Sequence, residues 1–409
     1  MLIFTIFNLL SLTGLNKFYK NIFFIFNAIS INYLTDYNLN SVDLLTFREV
    51  PVIFLVLLFI LMLKHNNNLI ILFLISLTSL FSVLWGIDRG LVCNVLIIFI
   101  FFYIILIKDY KKTFYLFSFL IIVWLTFFLI QKNEFYYFFD NTISIYKNMS
   151  YVHGIIHPVP FSSDPNAGRA TKTLIIILFL LIFSLRTIFE NTIIHNSKLK
   201  KLLLFLSFIC VLSYIYALGR SDGAHIKHTF GFPILTLSIL VYYYFCKFFQ
   251  KKKIIFFEPS LVIGTIFYIM FFNSIKLNNI DNYINKLNKF IYKEDEFFLN
   301  KEESEFIKQI KPIVNSYDCI QLFTNDAAFN YLLRKKSCTK YYFVWSASPK
   351  KIQKKFINEL SNTNFIIKGG TKSNWEIPLE KKLNLVNDYI SLNFKKKIKI
   401  TQWTVFLRN

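Results

Sequence analysis

Seven uninterrupted apolar runs, at residues 69–86, 91–107, 113–130, 173–189, 202–218, 231–249 and 254–273, dominate the first two thirds of this 409-residue chain. Each approaches the roughly 20 residues that an α-helix needs to cross a bilayer core. Backbone groups in hydrocarbon must be paired within their own segment, so such runs read as membrane helices. An eighth run, 51–63, is shorter and opens at Pro51, a favourable first helical residue, and it reads as an eighth span. Residues 2–14 and 21–34 are apolar again but are interrupted by Asn8, Gly14 and Asn27. At least one of the two is expected to span, giving about 8–10 transmembrane helices in all. The start lacks the basic region and small-residue cleavage site of a signal peptide.

Composition agrees. Only 17% of residues are charged, against about 25% in an average soluble protein. With 55% hydrophobic residues and a mean hydropathy of +0.47, an ordinary cytosolic enzyme is excluded. Pro and Gly total 9 and 11, which excludes disordered and collagen-like chains.

The loops alternate in charge, and cytoplasmic loops carry the excess of Lys and Arg. One face receives 14 basic residues, among them Lys17, Lys64, Lys111, Lys201 and Lys251 to Lys253, opposed by Asp109 and Glu190. That face is expected to be cytoplasmic. The other receives 8 basic and 8 acidic residues and four of the six histidines, and is expected to be extracytoplasmic. Residues 1–274 thus form a polytopic domain with outer-face loops at 131–172 and 219–230. Residues 275–409 hold 24 basic and 13 acidic side chains and no run long enough to span. They read as an extracytoplasmic soluble domain. Its positive surface suits anionic lipid headgroups or polyanionic glycans, or is simply well solvated.

Within the tail, Asn300 with Glu303 is the signature of a capping box, opening a helix that Pro312 should kink or end. Strands are expected at 318–324, 340–345 and 364–370, and helices at 326–336, after Ser348-Pro349 and over 378–394. A strand or hairpin closes the chain. The tail therefore reads as a small α/β sandwich with a mainly parallel sheet, whose strand-end loops are places for a ligand. Gly369-Gly370 does not make a nucleotide loop, and no nucleic-acid partner is expected. The five cysteines, Cys93, Cys210, Cys246, Cys319 and Cys338, show no CxxC spacing and suggest neither a metal nor a disulfide framework.

Three outer-face loops concentrate chemistry. YVHGIIHPVPFSSDPNAGRATKT at 151–173 brings His153, His157, Asp164, Arg169 and Lys172 together on a rigid backbone. YALGRSDGAHIKHTFG at 216–231 carries Arg220, Asp222, His225 and His228, and WGIDRG at 85–90 carries Asp88 and Arg89 at two span ends. Ionisable residues at membrane depth are functional by default, although Asp88 and Arg89 could merely neutralise one another. His153 and His157 stand four apart, but Gly154 and Pro158 break a shared helix, so a divalent metal ion has only this weak support. Arginine or lysine can hold a phosphate leaving group while an acid or histidine removes a proton from an incoming hydroxyl. The candidate catalytic residues are therefore Asp88, Asp222, His153, His157 and Asp164. The candidate substrate-binding residues are Arg89, Arg169, Lys172, Arg220 and His225. Glu258, before Pro259 on the cytoplasmic side, reads as a helix start, and Asn148-Met149-Ser150 as a chance sequon.

The layout of spans, outer-face loops and tail, with TNDAAFNYLLRKKSCTKYYFVW at 324–345, resembles the GT-C superfamily of polytopic bacterial glycosyltransferases. That resemblance implies a sugar moved from a polyprenyl phosphate or diphosphate to a glycan or lipid acceptor, in the bacterial inner membrane and among membrane lipids. The family's first-loop acid would fall on Asp36 or Asp43 in NYLTDYNLNSVDLLTFRE, and no DxD or ExD is present. The outer loops also resemble O-antigen ligases and polymerases. A transporter is disfavoured by charges that sit at one rim and by the absence of a repeat. A non-catalytic scaffold whose tail binds a partner is the remaining reading.

Overall fold

The computed structural model describes residues 2–12, 17–34, 49–65, 68–132, 159–163, 167–189, 197–218, 293–324, 328–342, 344–369 and 379–408, with isolated positions at 135, 139, 143 and between 231 and 292. The chain divides into two compact units, Met1–Phe138 with Pro158–Asn285, and Phe139–His157 with Lys286–Asn409.

The first unit is helical: α1 (Leu2–Ser11), α2 (Lys17–Leu34), α3 (Val50–Lys64), α4 (Leu69–Trp85), α5 (Ile87–Leu106), α6 (Tyr110–Gln131), α7 (Ala167–Phe189) and α8 (Ser197–Leu218). Among the described residues, four segments are long and apolar enough to cross a membrane: Ile87–Leu106, Tyr110–Gln131, Ala170–Phe189 and Ser197–Tyr216. The expected runs at 231–249 and 254–273 fall largely outside the described residues.

Helix α3 explains its own short apolar run. At 15 residues it is roughly 22 Å long. It is apolar on all sides because it is packed on all sides, with Phe59 4.2 Å from the ring of Phe205 and 5.9 Å from Tyr103. The α4–α5 hairpin is closer still. A Cβ on Gly90 would stand 2.5 Å from the Val83 Cα, so only glycine permits the approach. Beside it, Ser79 Oγ donates to Asn94 Oδ1 at 2.5 Å and accepts from Trp124 Nε1 at 2.9 Å, joining α4, α5 and α6. Hydrogen bonds between apolar helices supply attraction that lipid tails do not.

The second unit follows as a short 3₁₀ turn (Asp295–Phe298), α9 (Lys301–Val314), β1 (Cys319–Phe323), α10 (Ala328–Leu332), β2 (Lys336–Ser337), α11 (Lys350–Leu360), β3 (Phe365–Gly369), α12 (Leu379–Lys382), α13 (Asn384–Asn393), β4 (Lys396–Ile400) and β5 (Trp403–Leu407). The capping box forms as read: Glu303 N donates to Asn300 Oδ1 at 2.8 Å and Asn300 N to Glu303 Oε2 at 2.9 Å. Helix α9 continues through Pro312 to Val314, because its stripe of Phe306, Ile307, Ile310 and Val314 is buried on the sheet.

The sheet order is β2-β1-β3-β5-β4. Strand β1 pairs in parallel with β2 and β3, whereas β5 is antiparallel to both β3 and β4. The sheet is thus evenly mixed and not mainly parallel, since the last two strands form a hairpin and a hairpin must be antiparallel. Alternation along the strands builds two cores. Ile320, Leu322, Phe365, Ile367, Trp403 and Val405 face α9 and α10. Phe323, Ile366 and Phe406 face α11 and α13.

The expected strand at 340–345 does not form. Strand β2 lies earlier, and Val344–Ala347 is a 3₁₀ turn. Buried Gln321 takes the chain off the sheet edge: its Nε2 donates to Tyr341 O at 3.0 Å, and its Oε1 accepts from Thr339 Oγ1 at 2.7 Å. The edge is further fixed by a disulfide between Cys319 and Cys338, with Cα atoms 5.0 Å apart. Those cysteines are 19 residues apart, a spacing that carries no signal in sequence.

Candidate functional site

One end of the first unit collects the starts of α3 and α5 and the last turn of α8. Glu49 is the residue before α3, Asp88 and Arg89 lie in the first turn of α5, and Tyr216 lies near the end of α8. An acid in a first turn is favoured by the helix dipole, and an arginine there is not. The arginine is compensated by Glu49, with which Arg89 forms an ion pair; the two residues are 7% and 6% exposed. The Arg89 guanidinium also stands 4.3 Å from the centre of the Tyr216 ring. The Tyr216 hydroxyl donates to Asp88 Oδ2 at 2.5 Å. Asp88 is half-buried, whereas Glu49 is buried.

Small residues leave room for this arrangement. A Cβ on Gly86 would come within 3.0 Å of Asp88 Oδ1. Helix α7 is held to the same end by the Tyr214 hydroxyl, which donates to Ala170 O at 2.9 Å. The opposite end carries lysines: Lys64 Nζ donates to Asn8 Oδ1 at 2.8 Å, Lys200 Nζ donates to Ile188 O at 2.9 Å, and Lys201 lies over Tyr103.

Of the site residues read from sequence, Asp88 and Arg89 are brought together with Glu49 and Tyr216. Lys172 is exposed on α7. Arg169 lies in α7 next to Ala170, with its side chain outside the described residues; His153, His157, Asp164, Arg220, Asp222 and His225 lie outside them altogether. Sequence reasoning missed Glu49, which stands immediately before α3 as Asp88 stands in the first turn of α5. It also missed Tyr216, which opens the 216–231 loop. Among the described residues no group of three or more His, Cys, Asp or Glu could hold a metal ion.

The carboxyl ends of β1 and β3, the second place marked in sequence, hold Thr324 and Lys368. Burial pushes the Lys368 amine below its usual pKa; Nζ donates to Asn387 Oδ1 at 2.6 Å and stands 5.8 Å from the Phe323 ring. Burial likewise lowers Lys382, to about 8. The flanking segment 370–378 lies outside the described residues. Against this fold and site, no family model, no curated protein and no solved structure matches the chain.

Proposed function

We propose that the chain is a polytopic glycosyltransferase with about 8–10 spans, moving a sugar from a polyprenyl-phosphate-type donor to a glycan or lipid acceptor on the extracytoplasmic face. The observation that carries this reading is the division of labour at one span end. Arg89 is neutralised by Glu49 and braced by Tyr216, while Asp88 next to it is only half-buried and is aimed by the Tyr216 hydroxyl. A positioned carboxylate at a membrane rim, on a residue that is not fully buried, suits a base that takes the proton of an acceptor hydroxyl. Arg169 and Arg220 supply the guanidinium forks for the donor phosphate, with Asp222 as the alternative base. The side of the membrane is supported twice: by the charge asymmetry of the loops, and by the Cys319–Cys338 bond, because disulfides persist in oxidising compartments.

The experiment is glycan transfer by the purified full-length protein in lipid, over a panel of polyprenyl-phosphate sugars. Asp88→Asn should lower turnover about 100-fold with donor binding retained. Wild-type turnover in that variant would remove Asp88 from the chemistry. A scaffold is the second reading, favoured by how completely Glu49, Arg89 and Tyr216 occupy one another. It predicts that no sugar donor is turned over by the wild-type protein while Glu49→Gln still destabilises it.

A further inference from the structure

The second unit carries a cleft of about 1240 Å³ that the membrane chemistry does not use. Five cations line it, Lys293, Lys311, Arg334, Lys335 and Lys336, against two carboxylates, Glu294 and Asp295. Lys335 is structural: its Nζ donates to Tyr317 O at 2.6 Å and Asn315 O at 3.4 Å, lashing the turn before β2 to the end of α9. Lys311, Arg334 and Lys336 make no ion pair among the described residues. The acidic side is partly committed, with the Asp295 carboxylate hydrogen-bonded to the Tyr331 side chain.

Two further features set this cleft apart from a solvated basic face. Arg334, with a φ of 52°, is the left-handed stop of α10, closed by Arg334 N on Tyr331 O at 3.0 Å and Lys335 N on Asn330 O at 2.9 Å, and this stop fixes the backbone on which Arg334 and Lys336 stand. Tyr331 and Tyr342, 69% and 64% exposed, line the same cleft and bring aromatic rings beside the cations.

We infer that this cleft binds a phosphorylated saccharide, with phosphate oxygens on Arg334, Lys336 and Lys311 and the sugar ring against the tyrosines. The arginine fork matches two phosphate oxygens and the lysines add point charges. Ligand pockets run to about 300–1,000 Å³, so the space admits more than a bare anion. The Cys319–Cys338 bond, one residue beyond Ser337, fixes the wall that carries Arg334 and Lys336, so the site belongs to the oxidised chain. It is independent of the transfer chemistry proposed for Asp88, and each can fail without the other.

Calorimetry on the full-length protein in discs of neutral lipid tests it, with glucose 1-phosphate as probe and glucose and inorganic phosphate as its halves. Glucose 1-phosphate should bind at least tenfold more tightly than either half. Arg334→Gly and Lys336→Gln should each weaken it at least tenfold without lowering the melting temperature, and dithiothreitol should weaken it in the wild type. Discs containing polyprenyl-phosphate glucose separate the two sources of this headgroup. If they lower the apparent affinity for the soluble probe, the cleft reads a lipid-linked sugar; if they do not, it reads a soluble one. Equal affinity in the variants overturns the proposal. So does inorganic phosphate binding as tightly as glucose 1-phosphate, or cleft variants that change only binding to phosphatidylglycerol vesicles.

Discussion

The Tyr216 hydroxyl donates to Asp88 at 2.5 Å, joining residues 128 positions apart and pinning the end of α8 to the start of α5. The same ring supports the Arg89 guanidinium, so one tyrosine fixes both members of an acid–base doublet. Tyr216→Phe keeps the ring and loses the bond. Arg89 should remain in place, while the unaimed carboxylate should lower transfer turnover more than donor affinity. An equal fall in both would make Tyr216 a general packing residue.

Glu49→Gln strands a buried arginine. The cost should be about 3 kcal/mol, because the penalty for an uncompensated buried charge is then unopposed. Glu49→Leu with Arg89→Met removes both charges and should recover most of that loss. Denaturation of the full chain in detergent reads both, and a double variant as unstable as the single one would contradict a simple pair.

Gly90→Ala should cost about 1–3 kcal/mol by overpacking, since its methyl meets the Val83 backbone and not a flexible tip. Gly168, with nothing within 4 Å of its added Cβ, is the control and should tolerate alanine. Comparable melting of the two variants would be inconsistent with the α4–α5 contact.

Arg334→Gly should stabilise the second unit by about 0.5–1 kcal/mol, the relief of a left-handed side chain less the added freedom of the unfolded glycine. Loss of stability would mean that the arginine side chain holds the fold.

Lys382 has a pKa lowered to about 8 by burial, from an ordinary 10.5, and the residue is 6% exposed. Between these values the unfolded chain binds more protons than the folded one, so stability should rise with pH through about 8 to 10.5. Below about 8 the cost of charging the buried amine is fully present. Lys382→Met should flatten that rise and melt higher than wild type at pH 7. An unchanged slope, followed through the fluorescence of buried Trp403, would place the titration elsewhere.

Much of this was legible in the chain. The runs over 91–107, 113–130, 173–189 and 202–218 became long helices because a bilayer-length apolar run has few other solutions. Asn300 and Glu303 announced a helix start because capping is local chemistry. The failures involve distant partners. KYYFVW has strand propensity, yet Gln321, some 20 residues earlier, donates to Tyr341 O and accepts from Thr339 Oγ1, and these two bonds bend it away. Glu49 looks like a loop acid until Arg89, 40 positions on, is folded against it. Cys319 and Cys338 have no spacing rule; their pairing follows from the register of β1 with β2, in which Cys319 faces Lys336.

The position of β5 has a consequence for biosynthesis. The strand that ends at Leu407 sits inside the sheet, between β3 and β4, and supplies Trp403, Val405 and Leu407 to one core and Phe406 to the other. Neither core can close while residues 403–407 are still on the ribosome or in transit through a translocon. The first four strands must therefore wait with open apolar faces, and closure depends on bringing β5 back to β3, nearly forty residues upstream. A stop codon a few residues before Trp403 would take β5 out of the middle of the sheet, leave both layers of helices without a floor and mark the product for proteolysis.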